Sequence, residues 1–406
     1  MQNSHHQLSI WLIVLFSVIQ LVILFTLGYT PYPDSEGYCF FANDAVLHAE
    51  PYPVSTILNQ YDFLWNIGAI NSVALSLYLF HSYIPLLVLY SLMKGLTAWF
   101  FYCVTRKVTN QHIAFIALIL YIIYPANYGE GTSLLSELPF MFFMMMGLYF
   151  ALVRNWFVLG GMMLAIANWY RPMAIVFLLA LIIYYLLKWQ KSVRLLIGYL
   201  TVIIILGSIS YHRTGLFLYQ AKSGWMALTD YSTCHSPESM QIRERTDWNV
   251  AQKDSAWRSL FFDWLKDHPM EYISQMPRKL ANTYVSDNVN MCTFIPGKAE
   301  KEYMYEEVSL GKITQCFPHF SAVQWLTLLN LFIYYVFLAM AFASLFYFNK
   351  DYCLLAVSVI VLGTLLLLFA GHGEARFHIP FMPFIIILSA VFCNQKIWKG
   401  EGGSIS

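Results

Sequence analysis

The sequence predicts an all-α polytopic membrane protein with about ten transmembrane helices, interfacial helices in the first outer loop and a small, mainly helical extracytoplasmic domain. Three observations predict this fold class. Of the 406 residues, 58% are hydrophobic and only 12% are charged, about half of the ~25% charged fraction usual for soluble domains. Long apolar runs reach the ~20 residues that cross a hydrocarbon core. The connections between these runs separate into a basic set and a set that carries most of the acids.

The apolar runs define the predicted spans in chain order. Residues 8–29 form the first run and lack the basic start and cleavage site of a signal peptide, so we interpret them as a retained transmembrane helix. Residues 51–82 are apolar but interrupted by polar residues, which is typical of interfacial helices. The short runs at 156–170 and 173–187 equally fit two crossings or a re-entrant pair. The remaining predicted spans are 84–104, 112–124, 135–153, 195–211, 323–348, 352–370 and 377–393.

These runs divide the chain into four regions. Residues 1–211 hold the first seven spans and the first outer loop, residues 30–82. The polar stretch 212–320 is the predicted extracytoplasmic domain. Residues 321–394 hold the last three spans, and residues 395–406 form a cytoplasmic tail.

The basic connections orient the predicted bundle. Arg106 with Lys107, Arg154, the stretch 188–194, Lys350 and the tail are basic and nearly free of acids. The positive-inside rule places them, and both termini, in the cytoplasm. The first outer loop, residues 124–136, Arg171, the polar stretch 212–320 and residues 371–376 then lie outside. All candidate chemistry therefore falls on one side of the membrane.

The composition also limits the binding partners. The net charge is +1 and no long run of Lys or Arg occurs, which argues against a nucleic-acid partner. The seven cysteines show no CxxC spacing, so no thiolate metal site is predicted.

Three carboxylates are candidate catalytic groups. Asp34 follows Pro33 and has the pattern of a helix N-cap, yet an acid at the mouth of a membrane bundle can instead act as a base, with its pKa raised by partial burial. The sequence favours neither role. Glu36 is two residues further on and cannot point the same way in a helix. For Glu137 a functional role is favoured, because Ser133 or Ser136 offers another cap.

Several cations are candidates for binding phosphate. Arg171 interrupts an apolar run, where a charge needs a partner; a phosphate and a salt bridge to Glu137 are equally compatible. Arg376 lies in GHGEARFHIP, where two histidines six apart make a weak metal pattern and a phosphate clamp is the better interpretation. Lys94 lies deep within a span and could snorkel, pair or line a cavity. In the outer region Arg213, Lys222 and Lys279 could extend this phosphate site, whereas His372 and Glu374 beside Arg376 are candidates for other residues of the cavity.

Six segments together resemble the GT-C superfamily of membrane glycosyltransferases, close to the bacterial protein O-mannosyltransferase and aminoarabinose transferase branch and to glycosyltransferase family 39. Each segment alone is degenerate, but their order along most of the chain is moderately specific. They are PDSEGYCFFANDAV, SELPFMFFMMMGLYFALVRNW, GGMMLAIANWYRPMAIVFLLAL, YHRTGLFLYQAKSGWMAL, DWLKDHPMEYISQMPRKL and GEARFHIPFMPFIIIL.

The resemblance implies an activity and a location. It implies an inverting transfer of one sugar from a polyprenyl-phosphate donor to a glycan, lipid or protein hydroxyl, outside the inner membrane of a bacterium. Asp34 would be the base, Glu137 would shape the site, and Arg171 and Arg376 would hold the donor phosphate. Relatives carry adjacent Asp-Glu where this chain has an intervening serine, so the base can be Asp34 or Glu36. No cofactor is required, although a divalent metal at these two acids stays open.

Two other functions remain open at this point. A lipid-linked glycan transporter or flippase would thread polar residues through the bilayer midplane and repeat its two halves. The charges here cluster at one face instead, and no repeat is evident. A non-enzymatic assembly scaffold would tolerate the loss of Asp34.

Overall fold

The computed structural model describes residues 2–287, 291, 294, 322–347, 350–371 and 373–398. These residues form sixteen α-helices and short 3₁₀ or π turns, with no strand among them. The α-helices are α1 (Gln2–Leu27), α2 (Pro33–Leu47), α3 (Ile67–Phe80), α4 (Ile84–Val108), α5 (Gln111–Ile123), α6 (Glu137–Leu148), α7 (Phe157–Tyr170), α8 (Ile175–Tyr184), α9 (Trp189–Thr214), α10 (Gly224–Ser232), α11 (Pro237–Glu244), α12 (Val250–Asp267), α13 (Pro269–Tyr284), α14 (Ala322–Ser344), α15 (Lys350–Ala370) and α16 (Met382–Trp398).

Six stretches of the described chain are long and apolar enough to cross a membrane. Five belong to α1, α4, α9, α14 and α15, and the sixth, Ala375–Gln395, comprises α16 and the 3₁₀ turn before it. The all-helical membrane class is therefore supported. Four further predicted spans correspond to apolar helices of 10–17 residues, shorter than the ~20 residues of a typical crossing. The count of ten spans stays a prediction.

The first outer loop contains helices, as its interrupted apolar pattern indicates. A 3₁₀ turn covers Ser55–Gln60, and α3 follows from Ile67 to Phe80. The helix α3 packs against α2 and α7. Its predicted position in a membrane interface is not tested by these contacts.

A close crossing of α7 and α9 helps to hold the first half of the bundle together. In this half α1 packs against α4, α4 against α6, α6 against α7 and α7 against α9. At the α7–α9 crossing, a Cβ atom on Gly161 would lie 2.0 Å from the Leu195 carbonyl oxygen, and one on Gly198 would lie 1.9 Å from that of Val158. Only glycine allows the two backbones to approach so closely, so this crossing is fixed by the sequence.

The innermost helix of the second half is α16. It packs against α5, α14 and α15, and 78% of the most apolar window in its span is buried. A helix that is apolar all round is expected at such a position. The segment that leads into it carries Arg376, so this arginine is mounted on the most enclosed element of the bundle.

The polar stretch after α9 forms a separate helical group in its described part. Helices α10 and α11 pack against α12, and Leu228, Phe261 and Tyr272 form a small apolar cluster of their own. Lys253 of α12 donates hydrogen bonds to the carbonyl oxygens of Tyr61 and Arg243, each at 3.1 Å. This group, with α13, is the described part of the predicted domain 212–320.

Candidate functional site

A cavity of about 470 Å³ lies where α2, α7 and α10 meet the loop before α16. Its wall includes Asp34, Arg171 and Arg376. The structure therefore brings together three of the residues singled out in the sequence, from three distant segments.

Of the two roles that the sequence left open for Asp34, the structure excludes the N-cap of α2. The helix begins at Pro33, with Tyr32 as its N-cap. The Tyr32 N–H donates to Ser35 Oγ at 2.7 Å, and this hydroxyl donates to the Tyr32 carbonyl oxygen at 2.8 Å. Because proline is favourable in the first turn and Ser35 supplies the capping bonds, the Asp34 carboxylate is left to face the cavity.

The Asp34 carboxylate is paired with Arg376. The Arg376 guanidinium donates through Nη1 to Asp34 Oδ2, and its Nε atom lies 2.7 Å from Glu374 Oε1. Burial raises the pKa of Asp34 above its ordinary value, although the Arg376 cation opposes this shift. A carboxyl with a raised pKa is better suited to accept a proton near neutral pH than an ordinary aspartate.

Arg171 and Glu137 form a second pair beside the first. Arg171 directly follows α7 and Glu137 begins α6, and the two side chains form a buried ion pair. The Phe377 ring lies near both arginines, with its centroid 5.2 Å from the Arg171 guanidinium carbon and 5.9 Å from that of Arg376. Of the two partners expected for Arg171, the salt bridge is present, and the arginine also lines the cavity.

A chain of hydrogen bonds orients Glu137. The Asn66 amide donates to Tyr38 Oη at 2.7 Å and to Ser136 Oγ at 3.0 Å. The Ser136 hydroxyl donates to Glu137 Oε2 at 3.2 Å. The sequence did not predict that Asn66 and Ser136 are connected, because neutral polar residues 70 positions apart carry no local signal of contact.

Polar side chains from the outer helices complete the wall. Lys222 Nζ lies 3.3 Å from Asp254 Oδ2, and Gln220 accepts a hydrogen bond from Asn168 at 2.7 Å. Burial raises the pKa of Asp254, and the Lys222 cation opposes this. Lys222 was expected to extend the basic site; Gln220 and Asp254 were not identified from the sequence.

Other predicted residues are absent from the part of the cavity wall that the structure describes. Two of these, Glu137 and Glu374, contact the arginines that line it. Glu36 is exposed on the surface of α2. Arg213 donates to the carbonyl oxygens of Pro51 and Pro53, at 2.6 and 3.1 Å. Lys279 is buried against the rings of Tyr231 and Tyr272, and burial lowers its pKa to about 8. His372 lies outside the described residues.

Lys94 belongs to a different buried cluster. Its ammonium donates to the carbonyl oxygens of Asn127, at 2.9 Å, and Gly129. A small cavity of about 30 Å³ is lined by Lys94, Glu130 and Asp287. Burial raises the pKa of Glu130 to about 7, opposed by the Lys94 cation. Of the expected alternatives, Lys94 lines a cavity, but not the one that holds Asp34.

No metal centre is evident among the described residues. There, no three His, Cys, Asp or Glu side chains converge as metal ligands would. The carboxylates of Asp34 and Glu36 are not brought together, because Asp34 faces Arg376 while Glu36 is exposed. The question of a metal requirement is therefore left to experiment.

Comparison with known proteins adds no family assignment. No protein-family model matches the chain. The search of curated proteins also finds no match. The functional argument consequently rests on the cavity and its residues.

Proposed function

We propose that the protein is an inverting membrane glycosyltransferase of the GT-C type, which moves one sugar from a polyprenyl-phosphate donor to an acceptor hydroxyl, with Asp34 as the general base. The observation that carries the proposal is the Asp34–Arg376 pair in the cavity wall, with Arg171 in the same wall. The cavity thus holds a carboxylate that can accept a proton and two guanidinium groups that can bind phosphate.

The donor phosphate would bind by exchange with Asp34. Arginine binds phosphate and carboxylate oxygens through the same planar fork, so a phosphate that enters the cavity competes for Arg376. The exchange leaves the Asp34 carboxylate free of its partner. It removes the cation that opposes the raised pKa of Asp34 and so makes this carboxylate more basic.

The chemistry then balances as a single displacement. The acceptor O–H gives its proton to Asp34 while the oxygen attacks the anomeric carbon. The bond between that carbon and the phosphate oxygen breaks, and its electron pair leaves with polyprenyl phosphate. The phosphate gains one negative charge, which Arg376 and Arg171 stabilise. Positioned cations that meet a developing charge are a major source of catalysis.

The proposed membrane arrangement agrees with the position of these groups. We propose ten crossings, cytoplasmic termini, an outer domain from residue 212 to 320 and a site that faces the periplasm of a bacterial inner membrane. Its support is that Asp34, Arg171, Lys222 and Arg376 share one cavity and come from segments that the basic connections assign to one side. The acceptor is a glycan, a lipid or a protein hydroxyl.

A turnover assay tests the proposal. Purified wild type, Asp34→Asn and Glu36→Gln are incubated with radiolabelled polyprenyl-phosphate sugars and a membrane extract as acceptor. We expect transfer by wild type, loss of about 10²- to 10⁴-fold in Asp34→Asn, the usual value of a general base, and little change in Glu36→Gln. Loss in Glu36→Gln alone would make Glu36 the base. No transfer by wild type with any donor would contradict the enzyme assignment.

The second candidate function is a lipid-linked glycan transporter. It is favoured by one observation, the buried Lys94 in the middle of α4, since ionisable groups within spans commonly mark a transport pathway. A scaffold without activity would show neither transfer nor translocation. Translocation of a labelled lipid-linked glycan in proteoliposomes, lost in Lys94→Met and retained in Asp34→Asn, would select the transporter.

A further inference from the structure

The helix α13 has three distinct faces. Tyr272, Lys279 and Thr283 form its buried face. Glu271, Ser274 and Arg278 lie along an exposed polar face. The third face is apolar and also exposed, with relative accessibilities of 73% for Met270, 52% for Ile273 and 42% for Leu280. Pro277 lies on the same stripe, because these positions recur at helical spacing.

The buried face shows how α13 lies on the bundle. Tyr272 Oη donates to the Phe369 carbonyl oxygen at 2.6 Å, and Tyr284 Oη lies 2.7 Å from Thr364 Oγ1. From Tyr272 to Tyr284 the helix α13 advances about 18 Å along its axis, at 1.5 Å per residue. Its contacts on α15, from Phe369 to Thr364, are only about 8 Å apart along that helix. Both contacts therefore lie on the last two turns of α15.

We propose that α13 is an interfacial helix whose apolar stripe, Met270, Ile273, Pro277 and Leu280, is seated in the lipid bilayer. The helix α15 also exposes apolar side chains. On that candidate span Leu365 and Phe369 are 43% and 55% accessible, at the same end that α13 contacts. A bilayer that covers Phe369 reaches α13 as well. A helix with one apolar and one charged face is the kind that lies in this interface.

The neighbouring helix α12 supports the choice of lipid as the occupant. It also belongs to the outer group, but its exposed side chains are mostly polar, as with Gln252, Ser255, Arg258 and Lys266. Among the described helices of the outer group, α13 is the one that packs on the end of α15, a candidate span. The exposed apolar stripe thus occurs on the helix that the bundle holds at bilayer level, and Arg278 lies on the polar side where a long side chain reaches headgroups.

Contact of α13 with the bilayer would also fix the position of the loop that carries Arg376. A Cβ atom on Gly373 would lie 2.7 Å from Lys279 Cα, so the loop and α13 are in backbone contact. His378 Nδ1 lies 2.7 Å from the Thr283 carbonyl oxygen. A bilayer that holds α13 therefore positions the segment from Gly373 to His378. The inference is independent of whether the protein transfers a sugar.

Photocrosslinking in lipid nanodiscs tests this placement. The full chain carries p-benzoylphenylalanine at Ile273 or at Leu280. The matched controls carry it at Glu271 on the polar face of α13 or at Ser259 on α12, and a reference variant carries it at Leu365 on α15. After irradiation, adducts are identified by mass spectrometry.

We expect phospholipid acyl-chain adducts from positions 273 and 280 in yields comparable to position 365, and much lower yields from positions 271 and 259. Three results would overturn the proposal. They are photoproducts that join positions 273 and 280 to a second copy, photoproducts that join them to another part of the same chain, or no lipid adduct there when position 365 gives one. Variants are compared only after each elutes as the wild type does in gel filtration.

Discussion

Two carboxylate–arginine pairs lie side by side in this protein, and they differ in their access to water. The Glu137 and Arg171 side chains are 4% and 8% exposed, and Ser136 also binds the Glu137 carboxylate. The Asp34 and Arg376 side chains are 19% and 18% exposed, and their pair faces the large cavity.

Because of this difference, the Asp34–Arg376 pair can exchange partners and the Glu137–Arg171 pair cannot. A buried ion pair that loses one member leaves an uncompensated charge, so Glu137 and Arg171 are expected to stay together. Opening the Asp34–Arg376 pair costs less, because water and a ligand can reach both groups. The second pair can therefore hold Arg171 in place while the first takes part in the reaction.

The largest effect is expected from breaking the buried pair. Glu137→Ala should lower the free energy of unfolding by about 3–5 kcal/mol, since the Arg171 cation stays buried without its partner. Asp34→Ala should lower the free energy of unfolding by a several-fold smaller amount, because Arg376 keeps its contact with Glu374 and its access to water. Thermal unfolding in one detergent compares the two variants. Equal losses would remove the distinction between the pairs, and the double variant Glu137→Leu/Arg171→Met should recover most of the loss.

The next effect concerns donor binding. Arg376→Ala should weaken the binding of polyprenyl phosphate by about 10- to 100-fold, equivalent to the ~1.5–3 kcal/mol of a charged hydrogen bond. Ligand-induced thermal stabilisation measures this, because a ligand that binds the folded state raises its stability. Arg213→Ala is the control, since Arg213 contacts the first outer loop instead. An unchanged stabilisation in Arg376→Ala would refute the clamp.

A pH profile sharpens the role of the cation. Transfer needs ionised Asp34, so the rate should rise with pH through the raised pKa of this carboxyl. Arg376→Gln removes the cation that lowers this pKa, so the inflection in kcat/KM, which reports the free enzyme in which the two side chains are paired, should move upward. The profile in Glu36→Gln should stay in place. A downward shift in Arg376→Gln would contradict the assignment of Asp34.

The smallest effect is expected at the edge of the exchangeable pair. Glu374 contacts Arg376 Nε but is 30% exposed, and pairs open to water contribute about 0–1 kcal/mol. Glu374→Gln should therefore change stability and donor binding by less than about fivefold in the equilibrium constants. A loss as large as that of Arg376→Ala would show that Glu374, rather than Asp34, holds the guanidinium.

Much of the helical pattern could be predicted from the sequence because apolar length and helix-ending residues act locally. The runs at 8–29, 84–104 and 352–370 correspond to α1, α4 and α15 within a few residues. For Asp34 the sequence left the N-cap and the base equally open, since two local rules competed at one position. Pro33 and Ser35 formed the helix start, and the pattern alone did not show which residue would cap it.

The site could be predicted only as a list of residues on one side. Positive-inside reasoning brought Asp34, Arg171 and Arg376 to the same face, but their pairing depends on how α2, α7 and α16 pack. The Asp34–Arg376 contact joins residues 342 positions apart. No charge singles out Asn66 and Ser136. A charge did single out Lys279 and Arg213, but these side chains contact groups away from the cavity.

The central claim is that the donor phosphate takes the place of Asp34 on Arg376, and binding of polyprenyl phosphate to Asp34→Asn tests it most directly. The asparagine removes the competing charge and the base together. The account predicts that this variant binds polyprenyl phosphate at least as tightly as wild type while its single-turnover transfer is lost. Weakened binding, to the level of Arg376→Ala, would contradict the account, because Asp34 would then hold the phosphate site in shape rather than compete for it.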